Sequence, residues 1–216
     1  MLDLSKEGVA TGLLTIRAVK LDANNPFTWA SGFKMPIYCD NRKTLSYPDT
    51  RDSLKQALTD IVVSKYTPDA IVGVATAGAM WGGLVADNLH LPYAYVRSSK
   101  KEHGLENLIE GDLKKRWNVV VVEDLVSTGG SSLQAAKAIR EAGCYVQGMI
   151  GIFSYELDSA KKAFKDARVP LTTLTNYNAL VKVAAELGFI SGSDIATLKE
   201  WRKDPENWWV NKQKEL

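Results

Sequence analysis

The segment VVVVEDLVSTGGSSLQ, residues 119–134, contains four valines, then two acids, then a run of small and hydroxylated residues. A short continuous apolar run predicts a buried strand, here ending at Asp124. The small residues predict a tight turn, and Ser131 or Ser132 is a suitable first residue for a following helix. The segment therefore predicts a strand–turn–helix unit.

The same alternation extends along most of the chain. Apolar runs at 69–75, 93–97 and 145–153 predict further strands. Helices are expected over residues 2–17, 48–66, 77–90, 131–143, 157–167, 177–187 and 193–203. Strands that alternate with helices indicate an α/β fold with a parallel sheet covered on both faces.

Composition narrows the class of protein. The 216 residues include 27 basic and 25 acidic side chains, a net charge of +2, so nucleic acid is not an expected partner. Cys39 and Cys144 form no CxxC pair, which argues against a zinc site or a disulfide framework and favours the cytoplasm. No signal peptide and no membrane span are expected.

The polar residues behind the four valines indicate an anion site. Ligands of open parallel sheets bind beyond the carboxyl ends of the strands, where Glu123 and Asp124 are expected to lie. Gly129 and Gly130 leave their amides accessible to a phosphate, and a side chain at position 129 is expected to project into that phosphate. An ordinary serine-capped turn is the alternative. The GxxxxGK[ST] and GxGxxG patterns are absent from the chain.

The segment RSSKKEHGLENLIEG, residues 97–111, is strongly basic in its first half. It carries Arg97, Lys100, Lys101 and His103 with few apolar residues, so it is expected to be mobile. Two interpretations stand: a lid that closes over a site, or a solvated charged loop.

Three motifs resemble known families. Residues 119–132 resemble the signature of type I phosphoribosyltransferases, in which two acids precede T-G-G-S. Residues 97–111 resemble the catalytic loop of orotate phosphoribosyltransferases, and FTWASGFKMPIYCDNR, residues 27–42, resembles their substrate stretch. A purine phosphoribosyltransferase and a non-catalytic sensor of phosphoribosyl pyrophosphate (PRPP) are the alternatives. The stretch 27–42 and the complete basic loop favour the orotate enzymes.

The resemblance implies a reaction and a set of roles. Orotate would displace pyrophosphate from PRPP to give orotidine 5-phosphate, in pyrimidine biosynthesis. The implied catalytic residues are Lys101, His103 and Asp124, and Ser127 and Lys34 are the expected contacts to orotate. Mg²⁺ is the implied cofactor, carried mainly by the pyrophosphate. The expected PRPP-binding residues are Arg97, Lys100, Lys101, His103, Glu123, Asp124, Leu125, Val126, Ser127, Thr128, Gly129, Gly130 and Ser131.

The chain departs from the family pattern at several cationic positions. Ala30, Ala77 and Ser98 stand where many orotate enzymes have lysine, and SYELD, residues 154–158, lacks an expected arginine. The possible substitutes are Lys34, Arg42 and Lys100.

The resemblance also implies an organisation. We expect an N-terminal helix and hood at 1–45, a phosphoribosyltransferase core at 46–190 with the lid at 97–111, and a C-terminal helix and tail at 191–216. A homodimer is expected in which each lid serves the partner's site. Trp208 and Trp209 in the tail dock either on their own subunit or on a neighbour.

Overall fold

The computed structural model describes residues 2–28, 32, 34–97 and 108–214. Its strands are β1 Val19–Leu21, β2 Phe27–Thr28, β3 Lys34–Met35, β4 Ile37–Cys39, β5 Ala70–Val74, β6 Tyr93–Val96, β7 Ile109–Glu110, β8 Asn118–Val126, β9 Tyr145–Ser154 and β10 Leu171–Asn176. Its helices are α1 Lys6–Thr15, α2 Pro48–Lys65, α3 Ala77–Leu89, α4 Gly130–Glu141, α5 Asp158–Asp166, α6 Tyr177–Glu186, α7 Gly192–Lys203 and α8 Trp208–Lys214.

The central sheet has six strands in the order β10-β9-β8-β5-β6-β7. Five of them run parallel, as predicted, but β7 is antiparallel to β6, so the expectation of a purely parallel sheet was wrong at this edge. A two-residue strand is too short to show periodicity, so the sequence of the lid segment does not predict it. Strand β10 was also missed, because its sequence LTTLTN is half threonine.

Strand β8 is longer than its apolar run. It continues through Glu123 and Asp124 to Val126, with Leu125 opposite Phe153 and Val126 opposite Ser154 of β9. The strand prediction therefore ended two residues early. Because Glu123 has hydrogen-bond partners inside the fold, its acidic side chain can be buried within the strand and does not end it.

All seven predicted helices are confirmed, with ends that differ from the predicted ones by at most about four residues. Helix α2 begins at Pro48, whose missing N–H costs nothing at a first helical position. Helix α8 and a 3₁₀ helix over Asn41–Ser46 were not predicted. None of the described helices is long and apolar enough to cross a membrane.

The valines of β8 supply both faces of the sheet. Val119 and Val121 belong to a hydrophobic cluster with α4, while Val120 and Val122 belong to a second cluster with α1, α2, α3, α6 and α7. All four are fully buried. The prediction of a sheet covered on both faces is therefore confirmed.

The N-terminal residues form two small antiparallel pairs, β1 with β4 and β2 with β3. Helix α1 packs against α6 and β10. The indole Nε1 of Trp201 in α7 donates to Sδ of Met35 in β3, at 2.8 Å. The division into hood, core and tail remains a prediction, and these contacts tie the hood to the two other parts.

The C-terminal tail docks on its own chain. Trp208 is 2% exposed and joins the larger hydrophobic cluster, and Trp209 packs against that cluster. Lys212 lies over the Trp208 ring, 5.1 Å from its centroid. Of the two alternatives for the tryptophan pair, docking on the same subunit is confirmed.

Candidate active site

Glu123 is a buried acid that braces the start of α4. Its side chain is 4% exposed. Its Oε1 accepts from the backbone N of Asp124 at 3.1 Å, and its Oε2 accepts from Ser132 Oγ at 3.0 Å. Burial, followed by the neighbouring carboxylate of Asp124, raises the pKa of Glu123 well above its usual range. Glu123 therefore holds strand and helix together from beneath the rim.

Asp124 is the more accessible acid of the pair. It is half-buried, and burial raises the pKa of Asp124, against the lowering effects of its hydrogen bonds and of Arg42. A half-buried carboxylate at the carboxyl end of a parallel strand is placed to accept hydrogen bonds from the hydroxyls of a bound sugar. Of the two acids, Asp124 is the one with access to a ligand.

The turn after β8 leads directly into helix α4. Gly129 caps α4 with φ 84°, a left-handed conformation that favours glycine. The first amides of a helix lack intrahelical acceptors and carry partial positive charge, so the start of α4 suits a phosphate. An ideal Cβ placed on Gly130 meets nothing within 4 Å. The open space needed by an anion therefore lies at Gly130.

The expected role of Gly129 was wrong in one respect. A Cβ at position 129 would lie 2.6 Å from Cε2 of Phe164 in α5, not in the space in front of the turn. The glycine is required because α5 packs closely behind the turn and because φ is positive. A side chain there would disrupt the packing behind the anion site.

The remaining turn residues divide by exposure. Val126 is fully buried, and its carbonyl accepts from the backbone N of Tyr155 at 3.1 Å. Ser127 and Leu125 are half-buried, whereas Thr128 and Ser131 are exposed. The hydroxyls of Thr128 and Ser131 are thus free to reach a ligand in front of the turn. Because the side chain of Val126 is buried, the predicted contact between this residue and PRPP would have to involve its backbone.

A close approach of α3 supports the same rim. A Cβ on Gly78 would lie 2.7 Å from the carbonyl oxygen of Val122 and 2.9 Å from Oε1 of Glu123. Only glycine allows the start of α3 to lie this near β8. Ala77, at a position where a lysine was expected, is 7% exposed and contributes to the core.

The basic segment is described only at its two ends. Arg97 follows β6, and its Nη1 lies 3.5 Å from Oε1 of Glu110 in β7. The backbone N of Arg97 donates to the carbonyl of Leu108 at 2.8 Å, so the two ends of the segment lie side by side. Lys100, Lys101 and His103 lie outside the described residues, and their predicted roles remain predictions.

The N-terminal hood contributes one expected residue and one pair. Lys34 lies in β3 and is half-buried. Arg42 binds Asp40 through two hydrogen bonds, Nε to Oδ1 at 2.6 Å and Nη2 to Oδ2 at 3.0 Å. This pairing lowers the pKa of Asp40. Of the two described candidates for replacing a missing lysine, Arg42 is already paired with Asp40, and the role of Lys34 remains a prediction.

Asn41 joins the hood to the rim at the end of β8, and the sequence did not reveal it. Its Nδ2 donates to the backbone carbonyl of Asp124 at 2.7 Å. Asn41 is 1% exposed. An asparagine in a stretch read as loops and short strands gives no sign that it will be buried against a strand some eighty residues later.

The end of β9 holds a second polar cluster. The carboxylate of Glu156 accepts from Nδ2 of Asn176 at 3.2 Å and of Asn178 at 3.0 Å. Nη2 of Arg202 in α7 donates to the Glu156 carbonyl at 2.9 Å. Arg202 therefore contacts Glu156 within the segment 154–158 that lacks the expected arginine, and its guanidinium is occupied by this cluster.

Comparisons with known proteins agree with this geometry. The family model for the phosphoribosyl transferase domain matches residues 46–167. The orotate phosphoribosyltransferase of Bacteroides fragilis is 58% identical over 204 residues, which cover 94% of this chain and 96% of that protein. The chain belongs to the orotate phosphoribosyltransferase family. The relative from Porphyromonas gingivalis is 52% identical, with 94% and 97% of the two chains covered.

A solved structure supports the same assignment. The crystal structure of orotate phosphoribosyltransferase from Aeropyrum pernix matches with a TM-score of 0.73 and 27% identity, over 85% of this chain and 99% of that one. The fold is therefore the type I phosphoribosyltransferase fold, with a mixed six-stranded sheet. The resemblance drawn from the three motifs is confirmed.

Proposed function

We propose that the chain transfers the phosphoribosyl group of PRPP to orotate, giving orotidine 5-phosphate and pyrophosphate. The observation that carries this proposal is the end of β8, where Asp124 lies beside a glycine turn at the start of α4 and beneath the hood. Such a carboxylate can accept hydrogen bonds from sugar hydroxyls, and the amides at a helix start can bind a phosphate. The high identity to orotate phosphoribosyltransferases supports orotate as the base.

The proposal is tested by measuring pyrophosphate release with PRPP, Mg²⁺ and each of four bases: orotate, uracil, hypoxanthine and adenine. Turnover is expected with orotate. Efficient turnover of hypoxanthine or adenine without turnover of orotate would contradict the proposal and favour the purine alternative. No turnover with any base, together with binding of PRPP, would favour the non-catalytic sensor.

The chain's own residues divide the chemical work. Breaking the C1–O bond of the ribose leaves negative charge on the departing pyrophosphate and positive charge on the ring. Asp124 orients the ribose and stabilises the cationic ring, and the amides of the turn fix the 5-phosphate. Arg97 and the predicted lid residues Lys100, Lys101 and His103 offset the charge on pyrophosphate. Ser127 and Lys34 are proposed to hold the orotate ring.

Mg²⁺ is proposed to arrive as part of the substrate complex. Mg²⁺ prefers oxygen ligands and is commonly held by one or two carboxylates together with substrate phosphates. The described residues contain no group of three or more His, Cys, Asp or Glu that could hold a metal, but Asp124 offers a carboxylate at the rim. When bound, the ion would neutralise charge on the pyrophosphate.

The lid is proposed to act late in the reaction. If its basic side chains reach the pyrophosphate only on closure, Lys101→Ala and His103→Ala will lower kcat far more than they raise KM. Proton donation by His103 and simple charge stabilisation both accord with that outcome. A variant that raises KM and keeps kcat would instead place these residues in ground-state binding.

We further propose a cytoplasmic homodimer in which each lid serves the partner's site. The unpaired thiols of Cys39 and Cys144 suit the reducing cytoplasm. Helix α3 buries Trp81 completely but leaves Met80 41% exposed, so one face of this helix is available to a partner.

Mixing two inactive variants tests the shared site. One carries Lys101→Ala with His103→Ala, and the other carries Asp124→Asn. If lids cross the interface, a mixed dimer contains one intact site, and activity returns on mixing. If activity stays lost after subunit exchange has been demonstrated, each subunit completes its own site.

A further inference from the structure

Asn41 is a buried polar residue at a junction between two parts of the molecule. It begins the 3₁₀ helix after β4 and is 1% exposed. Its Nδ2 donates to the carbonyl oxygen of Asp124 at 2.7 Å, and its Oδ1 accepts from Sγ of Cys39 at 3.3 Å. Both ends of the amide are therefore satisfied, and the carbonyl of Asp124 is satisfied with them.

The amide has one orientation that fits its surroundings. With Oδ1 and Nδ2 exchanged, two oxygens would face each other at Asp124, so the local contacts fix the amide. Thr44 Oγ1 donates to the backbone carbonyl of Asn41, and Asp40 Oδ1 accepts from the backbone N of Arg42 at 3.2 Å. The short 3₁₀ helix is thus held on both sides of Asn41.

The neighbours of Asn41 also act on Asp124 electrostatically. Arg42 lowers the pKa of Asp124, opposing the effect of burial. Burial, followed by the charge of Asp124, raises the pKa of the Cys39 thiol, so that thiol is a neutral donor to Asn41. The two residues Cys39 and Arg42, on either side of Asn41, therefore both interact electrostatically with the Asp124 carboxylate.

We propose that Asn41 is a positioning residue for the reaction. By anchoring the backbone of Asp124 to the hood, it sets the direction of the Asp124 carboxylate relative to the phosphate turn. It also couples the position of the hood to the ribose-binding acid. The inference rests on the proposed function, in which Asp124 contacts the ribose of PRPP, and it adds a residue that itself touches no substrate.

The direct test is Asn41→Leu, which keeps the side-chain volume and removes the hydrogen bond. The carbonyl of Asp124 is then buried without its donor, so the rim shifts to find a new partner. We expect kcat/KM for PRPP to fall by about tenfold or more, the effect of losing about 1.4 kcal/mol. The KM for PRPP should rise by a larger factor than the KM for orotate.

Thr59→Val is the matched control. Thr59 is also a buried polar residue, 4% exposed, but it lies in α2, where its hydroxyl bonds Lys55 and Asn88 instead of the rim. Thr59→Val should lower the melting temperature about as much as Asn41→Leu does, and it should leave the KM for PRPP and the KM for orotate unchanged. Asn41→Ser, which retains a hydroxyl donor, should fall between wild type and Asn41→Leu and serves if the leucine variant does not fold.

The outcomes separate two failures. If the wild-type chain turns over orotate but Asn41→Leu and Asn41→Ser match Thr59→Val in every kinetic constant, Asn41 is merely structural and the inference is wrong. If the wild-type chain does not use orotate, the proposed function fails first. A rise in the KM for PRPP confined to the Asn41 variants supports the positioning role.

Discussion

The ends of β8 and β9 are adjacent rims of one sheet with similar polar residues but opposite character. Val126 and Ser154 pair across the two strands, so the rims lie side by side. At β9, Glu156 adopts φ 51° and its carboxylate and carbonyl are bound by two asparagines and an arginine. At β8, the turn that begins α4 faces open space at Gly130.

This difference separates a binding rim from a structural one. Both rims carry an acid at the carboxyl end of a parallel strand, which is the general location of ligand sites in such sheets. At β9 the polar groups satisfy one another and leave little for a ligand. At β8, Glu123 is occupied by its hydrogen bond from Ser132, whereas Asp124 and the first amides of α4 remain available to a ligand. The binding site is therefore distinguished by its available donors and acceptors more than by its residue types.

The largest expected contrast comes from changing one acid on each rim. Asp124→Asn should lower kcat/KM by about 100-fold, as loss of a preorganised electrostatic contact typically does, with little change in stability. Glu156→Gln should keep activity within about threefold and lower stability by about 1 kcal/mol, because it weakens a structural cluster. Steady-state kinetics and thermal melts measure both. Full activity of Asp124→Asn at saturating substrate would show that its assigned role is wrong.

The two glycines of the β8 turn should differ in how much stability they lose on substitution. Gly129→Ala places a Cβ against Phe164 at a positive φ, so it should lower stability by about 1–3 kcal/mol. Gly130→Ala meets open space and should change stability by less than about 1 kcal/mol. Chemical denaturation of the two variants measures the difference. Equal losses would mean that the turn does not pack as described.

The smallest effect concerns pH. The pKa of Glu123 is raised in the fold, so the folded state holds more protons than the unfolded state. The contribution of Glu123 to the free energy of unfolding is fully present below the ordinary pKa of about 4.3, and it is lost as pH rises through the raised pKa. Glu123→Gln cannot ionise, so the variant does not lose stability in this way. The melting temperature of the variant relative to wild type should therefore increase between pH 5 and pH 8, and a constant difference would contradict the assignment.

Much of this fold could be predicted from local patterns. Four valines flanked by turn residues indicate a central strand, and the glycine turn before a helix indicates an anion site, because both signals lie in consecutive residues. Strand β10 was not predicted because it has too few apolar residues, and β7 was not predicted because two residues cannot show a periodic pattern.

The parts of the site that could not be predicted depend on contacts between distant segments. The burial of Glu123 follows from Ser132 and from the approach of Gly78, and the role of Asn41 follows from a partner far along the chain. The importance of Gly129 for binding remains a prediction, and the direction of its missing side chain depends on Phe164. Sequence patterns locate the rim, whereas tertiary packing decides which of its groups remain available.

The central claim, that the β8 rim and not the β9 rim binds the phosphorylated ribose, is tested most directly by a crystal structure with Mg²⁺ and PRPP. We expect the 5-phosphate to lie within about 3 Å of the backbone amides between Thr128 and Ser131. We expect the ribose hydroxyls to contact the Asp124 carboxylate. A phosphate bound at Glu156 and Arg202, or a ribose without contact to Asp124, would show that the assignment of the β8 rim is wrong.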